Sequence, residues 1–239
     1  MGMRAEGRAA TALRPLQIER DIIGHAAGSC LIRAGGTQVL CAASIEEFVP
    51  GWLVGKGQGW VTAEYALLPA ATHQRNRRER RGAKGRTLEI ERLIARSLRT
   101  VVDLGGLGGE VTITVDCDVL QADGSTRCAS ITGAYIALAD ALAQWRDAGK
   151  ITRIPLIGQV AAVSVGMVDG EVLLDLDYEE DSRAEVDMNV VGDDKERFIE
   201  VQGTGEQMAF TRHQLNGLLN VAQEGLAELL TIQREVLRD

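Results

Sequence analysis

VTITVDCDVLQADGSTRCASITGAYIALADALAQW, residues 111–145, is the passage on which the fold turns. Residues 111–120 alternate apolar and polar side chains, the period of a strand with one face buried. From Thr126 the period changes. Ile131, Ala134, Tyr135, Leu138, Ala141, Leu142 and Trp145 fall on one face of a helix over 126–145. Between the two lies Gly124-Ser125-Thr126-Arg127, a run of small residues and one arginine where the strand gives way to the helix.

Upstream of this passage, residues 87–103 place Ile90, Leu93, Ile94, Leu98 and Val101 at helical spacing, and the glycines at 105–109 end that helix. Residues 45–85, rich in Gly and then Arg, read as irregular. Residues 28–44 read as a hairpin, SCLIRA and QVLCAAS around Gly35-Gly36. Downstream the theme returns. QVAAVSVGMV and EVLLDLDY flank Asp169-Gly170, a strong hairpin turn, and RFIEVQG at 197–203 adds a strand. A long helix over 211–238 carries Leu215, Leu218, Leu219, Ala222, Leu226, Leu229 and Leu230 on one stripe, with Thr211 and Gln214 as its capping box. No low-complexity linker interrupts the chain. The expected architecture is α+β, one domain over 1–239 built of two hairpin-plus-helix halves.

Composition narrows the function. Aromatic residues are only 4% of the 239, so aliphatic side chains must fill the core. No apolar run approaches the ~20 residues needed to span a bilayer, and residues 1–20 lack a secretory apolar stretch. A soluble, cytoplasmic protein without a membrane partner is expected. Cys30, Cys41, Cys117 and Cys128 include no C-x-x-C pair and suit buried thiols in a reducing compartment. With His25, His73 and His213 the only histidines, a zinc site is not expected. The net charge of −8 hides segregation. Residues 73–86 hold seven bases (Arg75, Arg77, Arg78, Arg80, Arg81, Lys84 and Arg86) against Glu79, while residues 175–187 hold seven acids against Arg183. One segment suits a polyanion and the other a cation.

Four constellations carry chemistry. Gly124 to Arg127 opens a helix, where free backbone N–H groups, hydroxyls and a guanidinium together suit inorganic phosphate. The same residues also suit an ordinary Ser cap beside a surface arginine. Gly85-Arg86-Thr87, at another helix start, would supply the opposite wall of that anion site, or leave Arg86 solvated. Asp181 and Asp187, read as extended or bulged chain six residues apart, can point to one side and hold Mg²⁺, or one of them can serve as a general acid. Their alternative is a solvated acidic edge strand. The arginine run at 75–81 would contact RNA phosphates, or form a solvated loop that orders on binding. The glycines at 55, 57 and 59 neither follow a strand nor open a helix, and residues 51–56 lack the length and the Ser/Thr of a phosphate-binding loop.

GQGWVTAEYALLP (57–69), GRTLEIERLIARSLR (85–99), VDCDVLQADGSTRCASITGAYIALADAL (115–142), EEDSRAEVDMNVV (179–191) and EVQGTGE (200–206) resemble ribonuclease PH, and the resemblance runs from Arg8 to the last helix. It implies a ribosomal protein S5 domain 2-like fold and a homohexamer built as a trimer of dimers. It implies phosphorolysis of RNA 3′ ends with release of nucleoside diphosphates, and maturation of transfer RNA precursors. Arg86 and Gly124, Ser125, Thr126 and Arg127 then fall on the phosphate-binding residues. Asp181 and Asp187 fall on the catalytic, metal-associated acids, and Arg75, Arg77, Arg78, Arg80 and Arg81 on the loop that grips RNA. Mg²⁺ and inorganic phosphate are the implied cofactor and co-substrate. Two positions depart from the family pattern: Ser125 stands where glycine is usual, and Ala70 where a base often follows Leu-Pro.

Overall fold

The computed structural model describes residues 4, 7–79 and 82–238. Five strands, β1 (Leu16–Arg20), β2 (Gly28–Ala34), β3 (Thr37–Glu46), β4 (Trp60–Leu67) and β5 (Thr112–Gln121), form a sheet in the order β1-β2-β3-β5-β4. Only the β4–β5 pair is parallel. Helices α1 (Gly85–Arg99) and α2 (Thr126–Asp147) pack on one face of this sheet. A second, antiparallel sheet has the order β7-β6-β8-β9, from β6 (Val160–Val168), β7 (Glu171–Leu174), β8 (Val186–Asp193) and β9 (Phe198–Gly205). The short helix α3 (Tyr178–Arg183) joins β7 to β8, and α4 (Arg212–Val236) covers the outer face of the second sheet. No helix among the described residues is long and apolar enough to cross a membrane.

The layers explain why α2 is buried all round and not on one stripe as expected: residues 128–139 are buried without a break. One side of α2 packs on the first sheet and the other on β6. On that second side Thr132 Oγ1 accepts the Ala162 N–H at 3.2 Å. β6 is likewise buried at every position, because alternate residues divide between two cores. Val160 and Ala162 join the core around α2, while Ala161, Val163, Val165 and Met167 join Leu218, Ala222, Leu226 and Leu230 of α4. The expected capping box at Thr211–Gln214 is present. All four cysteines are buried free thiols.

Three expectations are corrected. Residues 45–85 are not irregular throughout, because β4 lies within them. Val61, Ala63 and Tyr65 are buried at period two with Thr62 and Glu64 between them, a short alternation that follows directly on the glycines at 55, 57 and 59. Gly59 belongs to this packing, since a Cβ there would lie 2.7 Å from the Val111 carbonyl oxygen. EVLLDLDY is not one strand: β7 stops at Leu174, Asp175 turns the chain at φ 53°, and Asp177 caps α3 with Glu180 in a reciprocal capping box. Asp181 and Asp187 therefore do not share an extended segment. Asp181 sits on α3 and Asp187 on β8, which lies between β6 and β9 and is no edge strand.

Candidate active site

The turn between β5 and α2 is shaped by two successive left-handed residues, Gly124 (φ 74°) and Ser125 (φ 54°). The first i→i−4 bond of α2 runs from the Ala129 N–H to the Ser125 carbonyl at 3.0 Å. The amides of 126–128 therefore have no partner within the helix, and no side chain caps it. These donors lie at the positive end of a 22-residue helix.

Ser125 does not cap because its hydroxyl is used elsewhere. Ser125 Oγ donates to the Leu176 carbonyl at 3.0 Å, and the Leu176 N–H donates to Ser164 Oγ at 3.0 Å. The Ser125 and Ser164 hydroxyls lie 2.5 Å apart. With the Ser125 proton committed to Leu176, the Ser164 hydroxyl donates to Ser125 and the ring closes. The Ser125 hydroxyl thus turns toward Ser164 and Leu176. Gly124 has no such latitude. A Cβ there would meet the Leu176 carbonyl oxygen at 2.5 Å and the Asp177 carbonyl carbon at 2.8 Å. Gly124→Ala combines that clash with a positive φ and is expected to cost roughly 1–3 kcal/mol of stability, measured by thermal or urea unfolding; a loss below about 0.5 kcal/mol would contradict the close approach.

Around this turn opens a cleft of about 1000 Å³. Its lining includes Arg86, Gly124, Ser125, Thr126, Arg127, Asp181 and Asp187. The sequence places these residues on four separate elements or turns, and the fold brings all seven to one cavity. Arg86, in the first turn of α1, is exposed and has no hydrogen-bond or ion-pair partner among the described residues. Arg127 is half-buried. Its Nη1 donates to Glu89 Oε1 (3.1 Å) and Gln202 Oε1 (2.9 Å), which fixes the guanidinium between α1 and β9. Thr126 Oγ1 is 2.8 Å from the Tyr65 hydroxyl. Burial pushes the Tyr65 phenol up from its ordinary pKa, against the pull of Thr126, Arg86 and Arg127.

The acids face these bases. Burial raises Asp181, partly countered by Arg86. Burial and then the neighbouring Asp181 charge raise Asp187 to about 6. Neither carboxylate has an ion pair among the described residues. Two close, under-compensated carboxylates suit a hard divalent cation that keeps several waters, as Mg²⁺ does. Among the described residues no group of three or more His, Cys, Asp or Glu side chains forms a complete ligand set, so any such ion would take its remaining ligands from water and substrate.

The arginine loop stands at the rim. His73, Gln74 and Asn76 line the cleft, whereas Arg75, Arg77 and Arg78 are exposed beside it. Arg80 and Arg81 lie outside the described residues. Further lining or supporting groups are Tyr65, Glu89, Ser164, Tyr178 and Gln202, none of which stands out as a constellation in the sequence. Of these Tyr65, Glu89 and Gln202 lie within the motifs GQGWVTAEYALLP, GRTLEIERLIARSLR and EVQGTGE, membership of which is the available signal.

Two family models match the chain. One, described as 3′ exoribonuclease family, domain 1, covers residues 12–144. The other, 3′ exoribonuclease family, domain 2, covers residues 158–225. Solved structures share the fold. An exosome of Archaeoglobus fulgidus with RNA bound to its active site aligns at TM-score 0.80 and 24% identity, over 95% of this chain and 91% of that one. Rice (Oryza sativa) Rrp46 aligns at 0.78 and 22%, over 98% of this chain and 100% of its own. An archaeal exosome core aligns at 0.75 and 23%, over 98% of this chain and 90% of that one.

Proposed function

Because the chain belongs to the ribonuclease PH family of 3′ exoribonucleases, we propose that it is a phosphate-dependent 3′-to-5′ exoribonuclease that trims transfer RNA precursors and other RNA 3′ ends. The observation that carries this reading is the convergence of Arg86 and the Gly124–Arg127 helix start with Asp181 and Asp187 in one cleft. A hydrolytic nuclease needs the acids but has no use for an anion cradle opposite them.

Arg86, Arg127, the Thr126 hydroxyl and the free amides of α2 hold inorganic phosphate in this reading. They aim one of its oxygens at the phosphorus of the last phosphodiester, in line with the 3′-oxygen. The new P–O bond forms as the bond to the 3′-oxygen breaks. The incoming phosphate leaves as the terminal group of a nucleoside diphosphate, and the 3′-oxygen takes up the proton that the attacking hydrogen phosphate loses, so the shortened RNA ends in a 3′-hydroxyl. Gln202 and Glu89 keep Arg127 from swinging out of the cradle. Asp181 and Asp187 would hold Mg²⁺, which supplies Lewis-acid neutralisation of the charge that develops on the phosphoryl oxygens. Arg75, Arg77 and Arg78, with Arg80 and Arg81, grip the RNA backbone by salt-sensitive contacts. A homohexameric ring would gather six such loops around one opening, which reconciles an RNA substrate with the net charge of −8, and would cover exposed apolar side chains such as Phe48, Trp52 and Val54.

The test is to incubate the protein with 3′-extended transfer RNA and Mg²⁺, with and without phosphate. Shortening that requires phosphate and yields nucleoside diphosphates is expected. Phosphate-independent monophosphate release would mean hydrolysis, and RNA binding without release would mean a non-catalytic ring subunit.

Acid should weaken the metal site. Protons compete for Asp187 below about pH 6, so the Mg²⁺ concentration for half-maximal activity is expected to rise as pH falls from 7.5 to 5. A flat Mg²⁺ requirement across that range would contradict the assignment. In the metal-free protein the sign for folding is opposite. A raised carboxyl pKa means that the folded state binds the proton more tightly, so the penalty for ionised Asp187 is full above about pH 6 and shrinks as the pH falls.

A further inference from the structure

The helix that carries Asp181 is six residues long, too short to hold its shape unaided. Its apolar support is slight: Val168, Leu173, Leu176 and Ala184 form a small cluster of their own, joined by Ala10. What fastens it is the N-terminal segment. Arg4 grips Glu180, the residue before Asp181, with both arms of its guanidinium, Nε to Oε1 at 2.7 Å and Nη2 to Oε2 at 2.8 Å. Arg8 Nη2 donates to the same Oε2 at 3.0 Å. Both guanidiniums also tie down the chain that leads into α3. Arg4 Nη2 donates to the Leu174 carbonyl at 2.8 Å, and Arg8 Nη1 to those of Leu174 (3.0 Å) and Asp175 (2.9 Å). The three side chains are 6–9% exposed. Burial works against the ionised Glu180, but the bonds from Arg4 and the Asp177 backbone N–H prevail and hold its carboxyl below the ordinary range. Arg14 carries the same segment to the opposite wall. It pairs with buried Asp175 (Nη2 to Oδ1, 2.7 Å) and donates from Nη1 to the Asp123 carbonyl, next to Gly124.

We propose that Arg4 and Arg8 are positioning residues that set Asp181 against the phosphate cradle through Glu180. Neither arginine lines the cleft; both reach it through Glu180. Glu180 turns inward to the arginines, while the next residue, about 100° further round the helix, faces the cavity. Freeing Glu180 lets α3 fray and widens the gap between Asp181 and Asp187. The inference rests on the proposed metal-binding role of those two acids.

The test compares wild type with the Arg4→Ala/Arg8→Ala and Arg4→Lys/Arg8→Lys double variants. Amide exchange and Mn²⁺ binding, followed by electron paramagnetic resonance, are read on the RNA-free protein. In the alanine variant, exchange over 177–184 is expected to quicken at least about tenfold while β6, β8 and α2 keep their protection. Mn²⁺ affinity should fall at least about fivefold, with lysine restoring part of it and the phosphate KM moving about twofold or less. Unchanged exchange and unchanged Mn²⁺ affinity would overturn the proposal. So would loss of protection throughout, which would make the arginines general supports of the fold; Glu180→Gln, which keeps the shape and most donors in place, is read in the same way. A wild type that binds Mn²⁺ and shows these differences, yet releases no diphosphate, would refute the phosphorolytic reading and leave the strap standing.

Discussion

Asp187→Asn is expected to reduce RNA turnover about a thousandfold or more, the upper end of what one preorganised electrostatic group supplies, while RNA affinity stays within about threefold of wild type. The substitution is nearly isosteric and lies on an interior strand, held by β6 and β9 on either side, so the fold has little to lose. It has something to gain. Asp187 is half-desolvated, beside Asp181, and titrates near 6, so its ionised form at neutral pH strains the metal-free fold. A neutral amide removes that strain, and the melting temperature of the metal-free variant should be equal to or above that of wild type. Dead turnover with retained RNA binding and undiminished stability would be hard to explain by any role other than charge at the reacting centre. Parallel loss of turnover, binding and stability would instead reduce Asp187 to a structural residue.

Arg86→Ala is expected to lower kcat/KM by roughly 2–4 kcal/mol, thirty- to a thousandfold, as removal of one positioned charge donor from a transition state does. Arg86 is the cleaner of the two arginines to remove because it is exposed and unpaired among the described residues; its loss leaves no buried partner behind. Arg127→Ala should cost as much activity, but it also releases Glu89 and Gln202 and so will shift stability slightly. If Arg86 binds phosphate, the loss must appear in the dependence on phosphate concentration and not in that on RNA. An effect of less than about tenfold, or one confined to RNA KM, would remove Arg86 from the cradle.

The turn at 124–127 and the helix start at 85–87 are legible in sequence because helix N-termini advertise their chemistry locally: small residues, a hydroxyl and an arginine where the period changes from two to 3.6. That both open into one cleft follows from α1 and α2 packing side by side on the first sheet, which local pattern does not encode. The acids were half legible. Their identity shows in the charge run but their geometry does not, since the Asp177–Glu180 capping box that makes α3 looks like more of the same acidic stretch. β4 is hard to read because its alternation spans only Val61–Tyr65 and follows directly on a glycine-rich entry. The bonds that join Ser125 to Ser164 and Leu176, and those by which Arg4, Arg8 and Arg14 reach Asp175 and Glu180, join positions 39 to 176 residues apart. No window of sequence contains both ends of such a contact.

The most direct measurement of the central claim is the fate of ³²P-labelled inorganic phosphate during trimming of an unlabelled 3′-extended transfer RNA. If the Arg86–Arg127 cradle delivers the attacking group, the label must appear in the released nucleoside diphosphate as its β-phosphate, one label per nucleotide removed. Release of unlabelled nucleoside monophosphate at the same rate, with the label left as free phosphate, would show that water is the nucleophile and that the cleft is not a phosphorolytic site.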